Sequence, residues 1–192
     1  MTDGPMLPSS PFLALREARD SDAERWLEAA RDPVQLSLGL PAFVEPPADT
    51  AAVLARFGDL NAALAEGRPG PLVVADAHDD RFLGTVSWRQ DVPPPFATAD
   101  LGYLVHPAER GRGVAAAAIG LLVDWLTGPD GPGMVRVQLD HSTENPASCR
   151  VAERAGLERE GVRRSYLPLR DPAAPGGVRR HDVCLHGLVT GG

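Results

Sequence analysis

Apolar residues recur along this chain with two spacings, and the switches between them mark out its elements. Phe12-Leu-Ala-Leu-Arg16 is a short apolar run that predicts a first strand. Trp26, Leu27 and Ala30 then share one face of a short helix, for which Ser21-x-x-Glu24 offers a capping box and Asp32-Pro33 a stop. The Pro- and Gly-broken stretch up to Pro47 predicts loop. Val53, Leu54, Phe57, Leu60 and Leu64 return at helical spacing, with Asp49 or Thr50 placed to cap and Gly67 and Pro69 to stop. Leu72 to Ala75 and Phe82 to Trp88 predict two strands joined by a turn around Asp79-Asp80.

The second half repeats the alternation. A strand over Leu101 to Val105 is ended by Pro107, and Val114 to Leu126 predicts a helix. Met134 to Leu139 is the next strand, and Asn145 to Ala155 a helix stopped at Gly156. Leu157 to Leu167 and Val178 to Val189 form a closing antiparallel pair around the mobile loop Asp171 to Gly177. With no internal repeat and no long linker, this order predicts a mixed α/β (α+β) fold with a largely antiparallel sheet. One domain spans 12–189, preceded by a flexible segment at 1–11.

One stretch carries chemistry. Leu101-Gly-Tyr-Leu-Val-His-Pro-Ala-Glu-Arg110-Gly-Arg-Gly-Val-Ala115 reads as strand, turn, glycine-rich loop and helix start. Gly111 and Gly113 remove side chains where backbone must approach something closely, and the free N–H groups of the helix start point at the same spot. That is an anion site, and Arg110 and Arg112 add fork-shaped cationic donors to it. No Gly-Lys-Ser/Thr follows, which excludes a triphosphate-hydrolase loop. Gly111-x-Gly113-x-x-Ala116 weakly matches a dinucleotide loop, but the nearest acid at the required spacing, Asp130, sits in a Gly/Pro turn and not at a strand end. A plain strand-to-helix turn also accounts for the glycines.

Arg110-x-x-Gly113-x-Ala115 after a Val-x-Pro strand end resembles the acyl-coenzyme-A pyrophosphate loop of the GNAT N-acetyltransferase superfamily. Asn145-Pro-Ala-Ser148 with Gly156-Leu and Glu160-Gly161 resembles that superfamily's second block, particularly in the branch of the ribosomal-protein alanine N-acetyltransferases. Looser likeness runs from Phe12 to Val189. The resemblance implies a GNAT fold, with six to seven strands splayed in the middle and about four helices. It implies acetyl-CoA as cosubstrate and a primary amine as acceptor, attacked directly with no covalent enzyme intermediate. Arg110, Gly111, Arg112, Gly113, Val114 and Ala115 would hold the pyrophosphate, and backbone of Leu104 and Val105 the pantetheine amides. Asn145 would reach the pantetheine arm, and Arg150 would face the phosphates or solvent.

A transferred acyl group leaves a coenzyme A thiolate, which the Ser148 hydroxyl, at the motif position where the enzymes it resembles place such a group, could hydrogen-bond or protonate. The amine must also lose a proton; Asp100 starts the strand that the resemblance splays, where many relatives have Glu, and is the first candidate base, with Glu144 and His141 behind it. Some relatives place a carboxylate just after the position of Tyr166; Leu167 stands there here, which separates this chain from that protein-N-terminus pattern. Arg163, Arg164 or Arg180 could serve an acidic acyl group such as succinyl. Asn145 also suits an N-cap ahead of Pro146. A non-catalytic acyl-CoA sensor keeps the same cradle.

Composition narrows the partners. The 192 residues suffice for one substantial core, and a net charge of −7 with pI near 5.2 argues against a nucleic-acid surface while suiting a cationic amine. Lysine is absent, so the 19 basic residues are all arginine and no lysine Schiff base can form. Cys149 and Cys184 show no disulfide framework and no metal-ligand spacing, so no metal is expected. Pro5, Pro8 and Pro11 break the first apolar residues and no cationic start precedes them, so no secretory signal is expected; the apolar run Val114 to Val123 is too short for a membrane span, and the cytoplasm is the default. A homodimer through the terminal strands is the resemblance's expectation for assembly.

Overall fold

The computed structural model describes residues 7–190. Seven strands form one sheet in the order β1-β2-β3-β4-β5-β7-β6. They are β1 (Leu13–Arg16), β2 (Pro71–Asp76), β3 (Phe82–Arg89), β4 (Thr98–Val105), β5 (Arg136–Ser142), β6 (Glu158–Arg170) and β7 (Val178–Val189). Every neighbouring pair is antiparallel except β4 and β5. The crossover between those two supplies a helix, as a parallel connection requires.

Strand alternation gives the sheet two apolar faces. Val73, Ala75 and Phe82 point to α1 (Ala23–Ala30) and α2 (Thr50–Ala65), where they meet Val53 and Phe57. Leu72, Val74, Val86, Val137 and Leu139 point the other way, to α3 (Val114–Thr127) and α4 (Pro146–Arg154), where Ile119, Leu122 and Ala152 complete the larger core. The sheet is therefore a middle layer, and any opening in it joins the two sides.

Several local expectations hold. Asp49 caps α2 by accepting from the Ala52 N–H at 2.8 Å, and Asn145 caps α4 by accepting from the Ser148 N–H at 3.2 Å. The Ser21 capping box does not form. Residues Asp20–Asp22 make a tight 3-10 turn before α1, and no side chain caps that helix. The Asp22 carboxylate accepts instead from the Arg19 N–H at 2.8 Å and from both terminal nitrogens of Arg16, a buried pairing across the chain that outbids the local motif.

The stretch before Pro47 is not plain loop either. Asp32 accepts from the N–H groups of Val34 and Gln35, and a π-helical turn follows over Gln35–Gly39. Pro41 bridges to Leu169 of β6, and the Ala42 N–H donates to the Pro168 carbonyl at 2.9 Å. β6 itself breaks register against β7 between Arg163 and Leu167, where Ser165 takes φ +50°. Both irregularities lie beside the site described next. Of the N-terminal segment, residues 1–6 lie outside the described residues; Leu7 packs on the larger core and the Pro8 carbonyl accepts from the Leu15 N–H.

Candidate active site

β4 and β5 stay paired for only four residues, Thr98–Leu101 against Arg136–Leu139. Beyond that point β4 follows β3 as far as Val105, while β5 follows β7 as far as Ser142. Gly102 to Val105 thus have no strand on the β5 side. Alternate backbone N–H and C=O groups along this edge face a gap and need partners. An extended ligand bearing amides can supply them as an added strand does.

At the end of β4 the gap opens into a cavity of about 270 Å³. Its walls include Leu104, Val105, Arg110, Gly111, Gly113, Val114, Ala115, Asn145 and Arg150. Gly111 and Gly113 sit at φ +76° and +81°, a region costly for a residue with a Cβ, and a Cβ at either would meet no atom within 4 Å. The loop is bent this way by its backbone, and the space it faces is open. Gly113 is the N-cap of α3, so the first N–H groups of that helix line the same space.

A buried carboxylate holds the loop from beneath. Glu109 accepts from Arg25 at 2.7 Å, Arg81 at 2.6 Å and Arg112 at 2.6 Å. Arg112 is therefore turned onto Glu109 and is not among the cavity walls. Arg110 lines the cavity and also donates to Asp32 at 2.6 Å, tying the loop to the start of the π-helical turn. Burial pushes the Asp32 carboxyl up, but the bonds from Arg110 and the Gln35 N–H outweigh it and hold it below the usual carboxylate range.

A second cavity of about 450 Å³ lies across the splay and shares Gln35, Tyr103 and Asn145 with the first. Ser148 and Asp100 line it. Ser148 is buried, and its hydroxyl neighbours the Tyr103 phenol, whose pKa burial raises and Ser148 partly lowers. Asp100 accepts from Gln138 through Oδ1 at 2.5 Å, while its buried Oδ2 has no partner. An acceptor oxygen left in that state is costly unless something donates to it. Asp91, Asp100 and Asp140 outnumber Arg89 and Arg163 in the walls, so the cavity is net acidic.

The other sequence candidates divide. His141 reaches the second cavity, but its Nδ1–H donates to the Ser142 carbonyl at 2.8 Å, and burial pushes the imidazole's pKa down. Glu144 does not line the cavity; both its oxygens accept from Arg179, which holds its carboxyl below the usual range. Tyr166 and Leu167 form one wall, with the Arg163 guanidinium 5.1 Å from the Tyr166 ring centre. Arg180 donates to the carbonyls of Ser165 and Tyr166.

Four contributors escaped the sequence reading: Gln35, Tyr103, Glu109 and Asp140. Burial pushes the Asp140 carboxyl up against the pull of Arg163, 3.7 Å away, and of Arg89. Its signal was present in the alternation of β5, where Gln138 and Asp140 share the face opposite Val137 and Leu139. Glu109 gave no signal, because two of its three partners, Arg25 and Arg81, come from distant segments.

Residues 13–158 match the family model for the acetyltransferase (GNAT) domain, more than half of the chain. The chain belongs to the GNAT acetyltransferase family. Among curated proteins, YjcK of Bacillus subtilis (strain 168), named as a probable N-acetyltransferase, is 35% identical over 93 residues. That match spans 48% of this chain and half the length of YjcK. Among solved structures, the ribosomal-protein-S5-alanine acetyltransferase of Vibrio fischeri superposes with a TM-score of 0.77 at 19% identity, covering 96% of this chain and 97% of that one. Mycobacterium smegmatis RimJ, in complex with a CoA-disulfide, gives 0.76 at 22% identity, covering 95% of this chain and 85% of its own. These likenesses establish the GNAT fold, and the seven-stranded sheet with its flanking helices agrees with it. No helix among the described residues is long and apolar enough to cross a membrane.

Proposed function

We propose that this GNAT-family protein transfers an acetyl group from acetyl-CoA to a primary amine. The observation that carries the reading is the splay itself: it leads from a glycine-rich anion cradle to a separate acidic cavity, and Asn145 and Tyr103 stand where the two meet. The pyrophosphate of the coenzyme fits the cradle of Gly111, Gly113 and the α3 start, with Arg110 beside it. Pantetheine amides fit the unpaired edge at Leu104 and Val105. The thioester then lies near Ser148, and the amine enters from the acidic side.

The chemistry follows from this placement. A cationic amine is drawn to the net-acidic cavity and must shed a proton before it can attack. Asp100 is suited to take it, since Oδ1 is oriented by Gln138 and Oδ2 is uncommitted. Attack forms the C–N bond and a tetrahedral intermediate whose nitrogen sheds its second proton to solvent; its collapse breaks the C–S bond. Ser148 donates its proton to the departing sulfur and is reprotonated from solvent. Holding both reactants in one slot supplies much of the acceleration.

The test is thermal stabilisation by acetyl-CoA, succinyl-CoA, coenzyme A and NAD, followed by thiol release across a panel of amines. Saturation at about 100 times the dissociation constant contributes roughly 2.7 kcal/mol, a shift of roughly 5–10 °C for a domain of this size. Acetyl-CoA should give the shift and amine-dependent thiol release. A shift with no release on any amine makes the protein a coenzyme sensor, a preference for succinyl-CoA changes the donor, and stabilisation by NAD alone ends the acyltransferase reading.

A further inference from the structure

Beneath α4, on the face of the sheet that carries the larger core, four metal-ligating side chains converge. They are His141 of β5, Cys184 and His186 of β7 and Cys149 of α4, and one ligand atom from each lies within 4.8 Å of all the others. The fold dictates the meeting. His141 and Cys184 are direct partners across β5 and β7, and His186, two residues on, projects to the same face as Cys184. Cys149 completes the set from the helix packed over that face.

The spacings suit a tetrahedral ion. Ligand bonds of about 2.3 Å to sulfur and 2.0–2.1 Å to nitrogen place sulfur and nitrogen about 3.5 Å apart on a tetrahedral edge. His186 Nε2 lies 3.5 Å from the Cys149 sulfur and 3.4 Å from the Cys184 sulfur. His141 offers Nε2, which is buried and has no hydrogen-bond partner. Its other nitrogen is already held by the Ser142 carbonyl at 2.8 Å, the arrangement that fixes the tautomer of a metal-bound imidazole. Arg159 Nε–H donates to the Cys184 sulfur at 3.2 Å and holds that side chain in place.

We propose that His141, Cys149, Cys184 and His186 form a closed Zn²⁺ site. Two thiolates and two imidazoles in a tetrahedral set select zinc over the harder magnesium and calcium ions. Two thiolate charges balance the ion's own, so the filled site adds no net charge to the core. Loading releases the two thiol protons to solvent and involves no change of oxidation state. Cys149 is partly exposed, which gives the ion a way in, while Cys184 and His186 are buried. All four positions are taken by protein, so the role is structural. The ion would pin the first turn of α4, with Asn145 and Ser148 just ahead of Cys149, onto β5 and β7.

The test uses the full chain, reduced and free of any histidine tag. Metal content after gel filtration should be one zinc per chain, and titrating the metal-free protein with Co²⁺ should give thiolate-to-cobalt charge transfer with the intense visible bands of tetrahedral coordination. Cys149→Ser and His186→Gln should each lose the bound zinc, and Glu153→Gln should keep it. Should a ligand variant fail to fold by circular dichroism, the cobalt spectrum of the unmutated protein still decides. Two freely titratable thiols with no retained zinc and only octahedral cobalt would overturn the proposal. So would a Cys149–Cys184 disulfide formed in preference to metal binding.

Discussion

The two cavities that meet at Tyr103 and Asn145 are built by different means. The side proposed for the coenzyme draws most of its walls from one stretch, residues 103–116, at a strand end and a helix start. The side proposed for the acceptor is made by side chains from six separated segments, including an irregular turn at Gln35–Gly39 and the register break in β6. Backbone donors are indifferent to most side-chain changes but fail wherever a Cβ enters their space. Side-chain sites have the opposite sensitivity.

The sharpest way to test that contrast is Gly113→Val. The β-branched residue pays roughly 1–2 kcal/mol for the left-handed conformation, and its side chain enters the open space in front of the loop. Losing two charge-assisted bonds at about 1.5–3 kcal/mol each should weaken coenzyme A binding by at least ~10²-fold. Calorimetric titration checks this. An unchanged affinity in folded protein would move the coenzyme elsewhere.

Across the splay, Asp100→Asn keeps the shape and an acceptor for Gln138 but removes the proposed base. Loss of general-base catalysis should lower kcat/KM for the amine by about 10²-fold, while the KM for acetyl-CoA stays put. A uniform rise in both KM values would instead make Asp100 a structural residue of the wall.

A smaller effect separates the two arginines. Arg110 lines the cradle and Arg112 is drawn onto Glu109. Arg110→Ala should cost coenzyme affinity about 10-fold, and Arg112→Ala should cost much less. Equal losses, measured in the same titration, would mean that Arg112 leaves Glu109 when the coenzyme arrives.

These differences also explain what could be read from the chain itself. The cradle was legible because strand, turn, glycines and helix start are contiguous, and the Asp49 and Asn145 caps act over three residues. Ser21 misled because Asp22 answers to Arg16, a partner fixed only by the fold. The π-helical turn depends on Asp32, which Arg110 also engages from 78 residues away. The gathering of His141, Cys149, Cys184 and His186 had no linear signal at all, since strand pairing and helix docking bring it about. Local chemistry was readable; chemistry assembled by register was not.

The smallest expected effect concerns Asp140, on the acceptor side. Its side chain keeps 43% of its exposure, and partial desolvation raises its carboxyl pKa above the ordinary value, so between those two values the folded chain binds more proton than the unfolded one. Stability contributed at this position is therefore full below the ordinary aspartate range, near pH 3.9, and falls as pH rises through the raised value. At neutral pH the ionised group sits at a disadvantage that Arg163 and Arg89 offset only in part. Asp140→Asn removes the titration, so its melting temperature should exceed that of the parent slightly at pH 7, and the gap should close in acid. A gap of the opposite sign at pH 7 would show that the Arg163 pairing outweighs the burial. The acidic cavity would then be held together by the same charges that are proposed to recruit the amine.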